Sequence, residues 1–561
     1  MNISVRRRSS KSLAIAALVI AAFMALPTLV WAAEPEPVDL EVMTQIRQEG
    51  FRNSQAMQIL GELTDRIGPR VTGSPNMKTS NEWTRDKMAS WGLSNAHLEG
   101  YEFGRGWAED FTSVRMITPE KTMLFAIPRA WSPSTTGTVR GKVVRLAGKT
   151  KEELERQYHG KLAGAIVLVG DYRELKPHTE AESVRYTDQR LTEIAQYTVP
   201  AARMGMGGPD RTQEMRQAYQ RQREMAKFLA DEKVGAVIEP SRFDGGAITM
   251  QGGEYKKGSS PGVPTINMSA EHYGRIYRLL ERGVPVELEI NVQTKFFDDD
   301  SKAYNTIADL PGTDPKLAEE VVIIGGHLDS WHGGTGATDN ATGVAAAMEA
   351  IRILKALDLK PRRTIRVGLW SGEEQGLLGA KAYVDQHYAS RPEPSDPKER
   401  EIPSWMRTSQ PGPLEFKPDY KKISAYFNLD NGTGKLRGIY AQENAAVVPI
   451  FQSWIEPFKD LGCTTVTMRN TGGTDHQPFD AVGIPGFQFI QDPVEYFSRT
   501  HHTNIDTYER VQPDDLMQQA VILAAFAYNA AMRDEPLPRK PLPKEKPNAA
   551  AMAAPVSTSG K

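Results

Sequence analysis

The chain has 561 residues, of which 40% are hydrophobic and 25% are charged, and its formal net charge is −2. This length exceeds what one compact core supports, so two or more domains are expected. The near-neutral charge gives no electrostatic reason to expect nucleic acid or a membrane surface as a partner. The single cysteine, Cys463, excludes an intrachain disulfide.

The N-terminus has the layout of a secretory signal. Three arginines and a lysine within residues 6–11 precede the apolar stretch LAIAALVIAAFMALPTLVWA, and small residues near Ala32 suit cleavage. A retained membrane anchor is the alternative, but Pro27 and the alanine-rich end favour cleavage. We therefore expect residues 1–33 to be a signal peptide. The protein would be exported, periplasmic or secreted, with no membrane partner after cleavage.

Two regions that differ in residue composition and hydrophobic pattern follow. Residues 39–68 and 81–91 are predicted to be helical, with GPRVTGSP between them. Between residues 131 and 295, the short apolar runs GKVVRL, GAIVLVG, GAVIEP and PTINM alternate with Gly/Pro turns and with a charged helix at 211–231. This texture predicts a small β-rich domain inserted into a larger one.

From residue 303 to 533 strands and helices alternate, with apolar runs such as VVIIGG, TIRVGLW, ISAYFNLD and PGFQFI. The alternation predicts an α/β fold with a mostly parallel mixed sheet flanked by helices. This main domain would be discontinuous, formed by residues 34–130 and 296–535. Residues 391–420 are predicted to be a surface excursion. Residues 536–561 are predicted to be a disordered tail, since their composition cannot bury a core.

Four polar segments follow predicted strands. They are HLDSWHGGTGATDN (residues 327–340), LWSGEEQG (369–376), FNLDNGTG (427–434) and THHTNIDT (500–507). Each alone is common on a protein surface, but the carboxyl ends of parallel strands meet at one edge of a sheet. Histidines and carboxylates without a thiol suit zinc, with cobalt or manganese as substitutes. The four segments together favour a metal site.

The same segments resemble the co-catalytic di-zinc exopeptidases. This family includes bacterial leucyl-type aminopeptidases and glutamate carboxypeptidases, and the wording is nearest to the plasma glutamate carboxypeptidase type. The resemblance runs from Ala303 to Tyr528, and the inserted region resembles a protease-associated domain. It implies an exopeptidase that hydrolyses short peptides or dipeptides. The preferred side chain, the recognised end of the substrate and the oligomeric state stay open.

The resemblance implies two zinc ions and five ligands. The first ion would be bound by His327 and Asp430, the second by Glu374 and His502, and both by Asp339. A bridging carboxylate partly neutralises two neighbouring cations, and such a pair can activate one water molecule.

Two further residues would be catalytic by the same resemblance. Glu373 would be the general base, free to move a proton because it is not a ligand. His501 occupies the place where several aminopeptidases carry a tyrosine that stabilises the oxyanion, and it keeps a hydrogen-bond donor there. Which of His501 and His502 binds metal stays open, although HTxxDT favours His502. Asp329 is expected to orient the imidazole of His327.

Other polar residues receive plainer interpretations. His332 is expected in a loop or at a rim, and Asp506 is not expected as a ligand. Asp475 and His476 either pack within a loop or contact substrate. The run Met204–Met206 favours flexible packing over a copper site.

Two other classes of function remain. One is a binding or scaffold protein on the same fold that has lost its metals, against which the intact ligand set argues. The other is a single-zinc acyltransferase of the glutaminyl cyclase type. The protease-associated insertion and the HHTNIDT wording favour the peptidase, but a fold alone does not decide between chemistries.

Overall fold

The structure is a computed structural model that describes residues 36–148, 150–197, 209–402, 407 and 412–542. The predicted signal peptide and the run Met204–Met206 lie outside these residues. Within the described part of the chain, no helix combines the length and the apolar character needed to span a membrane.

The strands are short to medium in length and form two large sheets and one small one. In chain order they are β1 (Ser94–Glu102), β2 (Gly106–Thr118), β3 (Thr122–Met123), β4 (Ala126–Pro128), β5 (Val139–Arg145), β6 (Ile166–Leu168), β7 (Ala236–Pro240), β8 (Thr265–Met268), β9 (Glu287–Phe297), β10 (Lys302–Leu310), β11 (Val321–His327), β12 (Thr364–Trp370), β13 (Ala389–Ser390), β14 (Glu415–Phe416), β15 (Ile423–Asn428), β16 (Leu436–Tyr440), β17 (Thr465–Thr467) and β18 (Gly486–Gln491).

The first large sheet has the order β1-β10-β12-β11-β15-β18-β16-β17. Its centre is parallel, since β12, β11, β15 and β18 are parallel neighbours. Antiparallel pairings lie towards both edges, between β1 and β10, β10 and β12, and β16 and β18. The predicted mostly parallel mixed sheet is confirmed.

The second large sheet has the order β3-β2-β9-β5-β6-β7-β8-β4 and takes its strands from residues 106–297. It contains the four strands predicted within residues 131–295. It also contains β2, β3 and β4, which precede residue 131, and β9, which crosses the predicted boundary at residue 295. The division of the chain into a main and an inserted domain stays a prediction.

Helices connect many of the strands, and several of them pack against the first sheet. They span Leu40–Arg52, Ala56–Gly61, Pro75–Ser90, Lys151–Tyr158, Asp188–Ala195, Pro209–Asp231, Ala270–Glu281, Thr342–Ala356, Leu378–His387, Pro397–Glu401, Val448–Ile455, His476–Ala481 and Pro513–Met532. The single helix predicted over residues 39–68 is wrong at residues 53–55, where the first two helices separate.

The core beside the first sheet forms around two helices. Helix Thr342–Ala356 packs against helix Pro513–Met532, and both also pack against β11. Residues 321–327 of β11 are all buried, which explains the continuous apolar run: a central parallel strand is covered on both faces. The central strands are thereby fixed, and their carboxyl ends carry the polar segments.

The predicted disordered tail is wrong at its start. Leu537 is 2% exposed and packs in the main core. The main-chain oxygen of Pro538 accepts a hydrogen bond from Asn444, and Arg539 donates to the main-chain oxygens of Tyr420 and Ile423. This segment needs no core of its own, because it adds to one that is already formed. Residues 543–561 lie outside the described part of the chain.

Candidate metal centre

His327 and Asp430 meet at the ends of neighbouring parallel strands. His327 is the last residue of β11, and Asp430 lies two residues beyond β15. His327 Nε2 lies 3.5 Å from Asp430 Oδ1. Both residues are buried. The sheet therefore brings together two of the predicted ligands.

Asp339 lies between two of the predicted histidines. Its Oδ1 is 3.2 Å from His327 Nε2, and its Oδ2 is 3.4 Å from His502 Nε2. Asp339 lies in the turn Ala337–Ala341, where its main chain is non-helical (φ −131°, ψ 84°). One carboxylate thus presents a separate oxygen to each side of the site, as a bridging ligand requires.

The other side of the site is formed by Glu374 and His502. Glu374 Oε2 is 2.9 Å from His502 Nε2. His501 also contributes, because one ligand-capable atom from each of Asp339, His501 and His502 lies within 4.8 Å of the others. The geometry places all five predicted ligands together and leaves His501 beside them.

The residues fit zinc. Asp339 Oδ2, Asp430 Oδ1 and Glu374 Oε1 are buried and have no hydrogen-bond partner among the described residues. A buried carboxylate oxygen without a partner is costly unless a cation lies beside it. Imidazole nitrogens and carboxylate oxygens are also ordinary zinc ligands, and no thiol lies in the set.

Burial and the neighbouring charges together shift the pKa values of His327 and Glu373. Burial acts to lower the pKa of His327, yet the carboxylates of Asp430 and Glu373 raise that pKa well above its ordinary value. Burial raises the pKa of Glu373 well above its ordinary value, and the carboxylates of Asp430 and Asp475 add to this effect. An excess of buried negative charge around a histidine is the setting in which a cation is stabilised.

Asp329 contacts the imidazole of His327, as predicted, but mainly through its main chain. The imidazole Nδ1 of His327 lies 2.9 Å from the main-chain oxygen of Asp329 and 3.6 Å from its carboxylate. The carboxylate instead accepts hydrogen bonds from Glu373 N at 3.2 Å and Glu374 N at 3.4 Å. It also accepts one from Thr72 Oγ1 at 2.9 Å. The main chain thus fixes the imidazole, and the side chain of Asp329 positions the glutamate pair.

Asp506 organises the turn that carries Asp339. Its two carboxylate oxygens accept hydrogen bonds from Thr338 N at 2.7 Å and Asp339 N at 3.0 Å. Burial raises the pKa of Asp506 to about 7. Asp506 was not expected as a ligand, and its bonds to the main chain suit a positioning role.

Arg70 was not identified from the sequence. It is completely buried, and its guanidinium donates to main-chain oxygens that include those of Leu328, Thr335 and Gly336. These three residues lie within the segment 327–340, between His327 and Asp339. Arg70 belongs to the segment GPRVTGSP, whose sequence predicts only a break between helices. Its contacts could therefore not be predicted.

Small residues allow the ligand segments to approach closely. A Cβ atom at Gly326 would lie 2.7 Å from Leu429 O, and one at Gly343 would lie 2.2 Å from the same oxygen. Asn340 Nδ2 donates to Leu429 O at 2.9 Å, and Asn340 Oδ1 accepts from Gly343 N at 3.1 Å. These contacts join the residue after Asp339 to the residue before Asp430.

The two consecutive histidines differ in their surroundings. Their rings stack with centroids 3.8 Å apart. Burial lowers the pKa of His501 to about 4, so its imidazole is neutral at pH 7. The main chain of His502 is left-handed (φ 56°), a conformation that costs a non-glycine residue about 1–2 kcal/mol. Met250 N donates to His502 O at 2.7 Å, which helps to hold this conformation.

Three residues with plainer predictions are also located. His332 lies in a loop as predicted, but its side chain is buried, with Nε2 2.7 Å from Pro128 O. His476 Nε2 contacts Gln442 at 2.8 Å, which suits packing. Asp475 is fully buried with both carboxylate oxygens unpartnered among the described residues, so its alternatives stay open.

Comparison with known proteins supports the geometric interpretation. Residues 305–527 match the model of Peptidase family M28. Carboxypeptidase Q of Mus musculus is 26% identical over 492 residues, which cover 87% of this chain and 88% of that protein. Leupeptin-inactivating enzyme 1 of Streptomyces exfoliatus is 30% identical over 191 residues, which cover 34% of this chain and 36% of that protein.

Solved structures have the same fold. A Peptidase M28 precursor from Shewanella amazonensis superposes with a TM-score of 0.62 at 25% identity, over 90% of this chain and 98% of that one. The zinc aminopeptidase BSAP from Bacillus subtilis has a TM-score of 0.55 at 18% identity, over 86% of this chain and 96% of that one. Residues 305–527 therefore match Peptidase family M28, within a chain that is similar to carboxypeptidase Q along most of its length.

Proposed function

We propose that this protein is a zinc-dependent exopeptidase that hydrolyses peptide bonds in short peptides or dipeptides. The observation that carries the proposal is Asp339, with one carboxylate oxygen towards His327 and the other towards His502. Asp430 completes the first zinc site and Glu374 the second. The unpartnered buried oxygens of these carboxylates support two cations there.

Zinc at such a pair lowers the pKa of a coordinated water and polarises the scissile carbonyl group. Glu373 is the general base: it accepts a proton at its carboxylate and delivers that proton to the leaving amine. Its main chain is fixed by the Asp329 carboxylate, through the hydrogen bond from Glu373 N. Burial raises the pKa of Glu373, which favours its return of the proton in the second half of the reaction.

His501 stabilises the negative charge that develops on the carbonyl oxygen. Its Nδ1 lies 3.4 Å from a guanidinium nitrogen of Arg242, a group that can only donate. The proton of the neutral imidazole is therefore assigned to Nε2, which is left as a donor. A positioned donor of this kind is a common source of transition-state stabilisation.

A cleft of 710 Å³ adjoins the glutamate pair in sequence: Gln375 lines it together with Tyr255 and Lys381, whereas Glu373 and the five proposed ligands are not among its lining residues. A volume of this size accommodates small ligands. We further propose that residues 1–33 are removed on export and that residues 131–295 form a protease-associated-like domain; the N-terminal pattern and the second sheet support these two points.

A product assay on zinc-loaded protein tests the proposal. We expect free amino acids to be released from a panel of dipeptides and aminoacyl amides, with activity lost on chelation and restored by zinc or cobalt. Formation of pyroglutamate from peptides with N-terminal glutamine, without amino-acid release, would instead establish the cyclase-type chemistry. Zinc-loaded protein that binds peptides without cleaving them would be a scaffold.

A further inference from the structure

Arg242 lies on a short loop after β7 whose main chain is fixed by its own side chains. Arg242 N donates to Thr249 Oγ1 at 3.1 Å. Ser241 Oγ donates to Ala247 O at 2.7 Å and accepts from Thr249 N at 3.1 Å. Phe243 N also donates to Ser241 Oγ at 3.1 Å. The loop is therefore ordered around Ser241, and the base of the Arg242 side chain has a defined position.

The same loop is attached to the segment that carries the two histidines. Ile248 N donates to Asn504 Oδ1 at 2.6 Å, and Asn504 N donates to Ile248 O at 3.2 Å. Met250 N donates to His502 O. These bonds hold Arg242 next to the candidate metal centre. Its loop follows β7 of the second sheet and lies outside residues 305–527.

The guanidinium of Arg242 faces the site without a carboxylate to neutralise it. Its Nη2 lies 3.4 Å from both His501 Nδ1 and His501 O, and no carboxylate among the described residues forms an ion pair with it. The carboxylate nearest to it in the chain, that of Asp244, contacts His178 at 3.0 Å. Arg242 is exposed, and its guanidinium lies over the ring of Phe243, 4.8 Å from the centroid. The partial burial of the side chain lowers the pKa of Arg242.

We propose that Arg242 binds the free α-carboxylate of the substrate residue that follows the scissile bond. Guanidinium groups bind carboxylates through two parallel hydrogen bonds, and Arg242 has donors to spare beyond its contacts with His501. The enzyme would thereby release a single C-terminal residue, from a dipeptide or a somewhat longer peptide. This inference rests on the proposed function, and it names the end of the substrate that is recognised.

The distances suit this arrangement. A ligand-capable nitrogen of His501 lies within 4.8 Å of the ligand-capable atoms of Asp339 and His502. Arg242 Nη2 lies 3.4 Å from His501 Nδ1. One extended residue spans about 3.3–3.6 Å, and a hydrogen bond adds about 2.9 Å. Because Arg242 adjoins His501 and these lengths are short, we expect a carboxylate one residue past the scissile carbonyl to come within reach of Arg242.

The test compares two substrates that differ only in charge at the C-terminus. Zinc-loaded full-length protein is assayed with Ala-Ala and with Ala-Ala-amide, and the ratio of the two kcat/KM values is taken for the parent and for R242Q. The ratio isolates the carboxylate, because any loss that acts through His501 lowers both rates. R140Q is the matched control, since Arg140 is bonded to Glu287 on the second sheet.

We expect the parent to prefer the free acid by about 10–100-fold, the range of a charge-assisted hydrogen bond. R242Q should bring the ratio close to one, mainly through KM, R242K should restore part of the preference, and R140Q should leave it unchanged. An unchanged ratio in R242Q would overturn the inference, as would a parent that cleaves acid and amide equally well. Arg242-dependent preference for Ala-Glu-amide over Ala-Ala-amide would assign Arg242 to a side-chain carboxylate instead, and would also overturn it.

A binding measurement separates this inference from the proposed function. Calorimetry of Ala-Ala and Ala-Ala-amide on zinc-loaded protein requires no turnover. If neither peptide is cleaved, the proposed function fails, while an Arg242-dependent preference for the acid in binding still supports the carboxylate site. If both are cleaved and R242Q binds them with the parent's preference, the proposed function stands and the role of Arg242 is wrong.

Discussion

Asp339 divides its two carboxylate oxygens between His327 and His502, at 3.2 Å and 3.4 Å from their Nε2 atoms. The two histidines come from different parts of the chain: one ends a central strand, and the other follows the helical turn Tyr496–Thr500 beyond β18. A carboxylate in this position joins the two halves of the site. The proposed chemistry therefore depends on Asp339 more than on any of the other four ligands.

Replacing Asp339 with asparagine should therefore affect both halves. The amide keeps the shape of the side chain but offers a single neutral oxygen, which cannot serve two cations. We expect Asp339→Asn to bind fewer than two zinc ions and to lose more than about 100-fold in turnover, beyond the range of changes to residues that only orient ligands. Elemental analysis and dipeptide hydrolysis check this. Asp188→Asn, at an exposed site, is the control; if both variants kept full zinc and turnover, Asp339 would not bridge.

The adjacent glutamates should separate into two functions. Glu373→Gln should keep both zinc ions and lose about 10²–10⁴-fold in turnover, because the amide cannot accept a proton. Glu374→Gln should weaken one zinc site, and its activity should recover partly as the zinc concentration rises. Zinc content and turnover are measured together on both variants. Loss of metal from Glu373→Gln alone would reverse the two assignments.

Asp506 should act through the position of Asp339. In Asp506→Asn one oxygen remains to accept, so either Thr338 N or Asp339 N loses its partner. We expect zinc affinity to fall by about 10–100-fold, with turnover restored at saturating zinc. A zinc titration followed by activity checks this. Turnover that stays low at saturating zinc would mean that Asp506 takes part in the reaction itself.

The C-terminal segment should contribute stability up to residue 540. Ending the chain after Glu535 removes the buried Leu537 together with the hydrogen bonds of Pro538 and Arg539. We expect the free energy of unfolding to fall by about 2 kcal/mol or more, from burial of the leucine alone. Ending the chain after Leu542 keeps these contacts and should leave Tm unchanged. Equal Tm values for the two truncated chains would contradict the docking of this segment.

The strands of the parallel centre were predictable because they are buried on both faces. β11 and β12 appear as apolar runs, and the polar residues that follow them lie at one edge for the same reason. β1 and β2 were not predicted, because their residues are largely half-exposed and mix charged with apolar side chains. Neither a continuous apolar run nor a strict alternation marks them.

The residues proposed as ligands lie together in the structure, as the sequence predicted, but the residues that position them could not be predicted. Arg70 and Thr72 come from a loop whose letters indicate only a turn. Arg242 lies on the loop after β7 of the second sheet, far in sequence from His501. Their contacts arise from tertiary packing, which a local sequence pattern does not predict. The same is true of Leu537, which is buried only because the core beside it already exists.

The zinc stoichiometry of the site tests the central claim most directly. Metal-stripped protein is titrated with zinc by calorimetry, while hydrolysis of a dipeptide is followed in parallel samples. We predict no activity without metal, two equivalents of zinc bound per chain, and full activity only as the second site fills, because the proposed chemistry needs both ions. Full activity in protein that elemental analysis shows to be metal-free, or full activity with a single bound equivalent, would contradict the account.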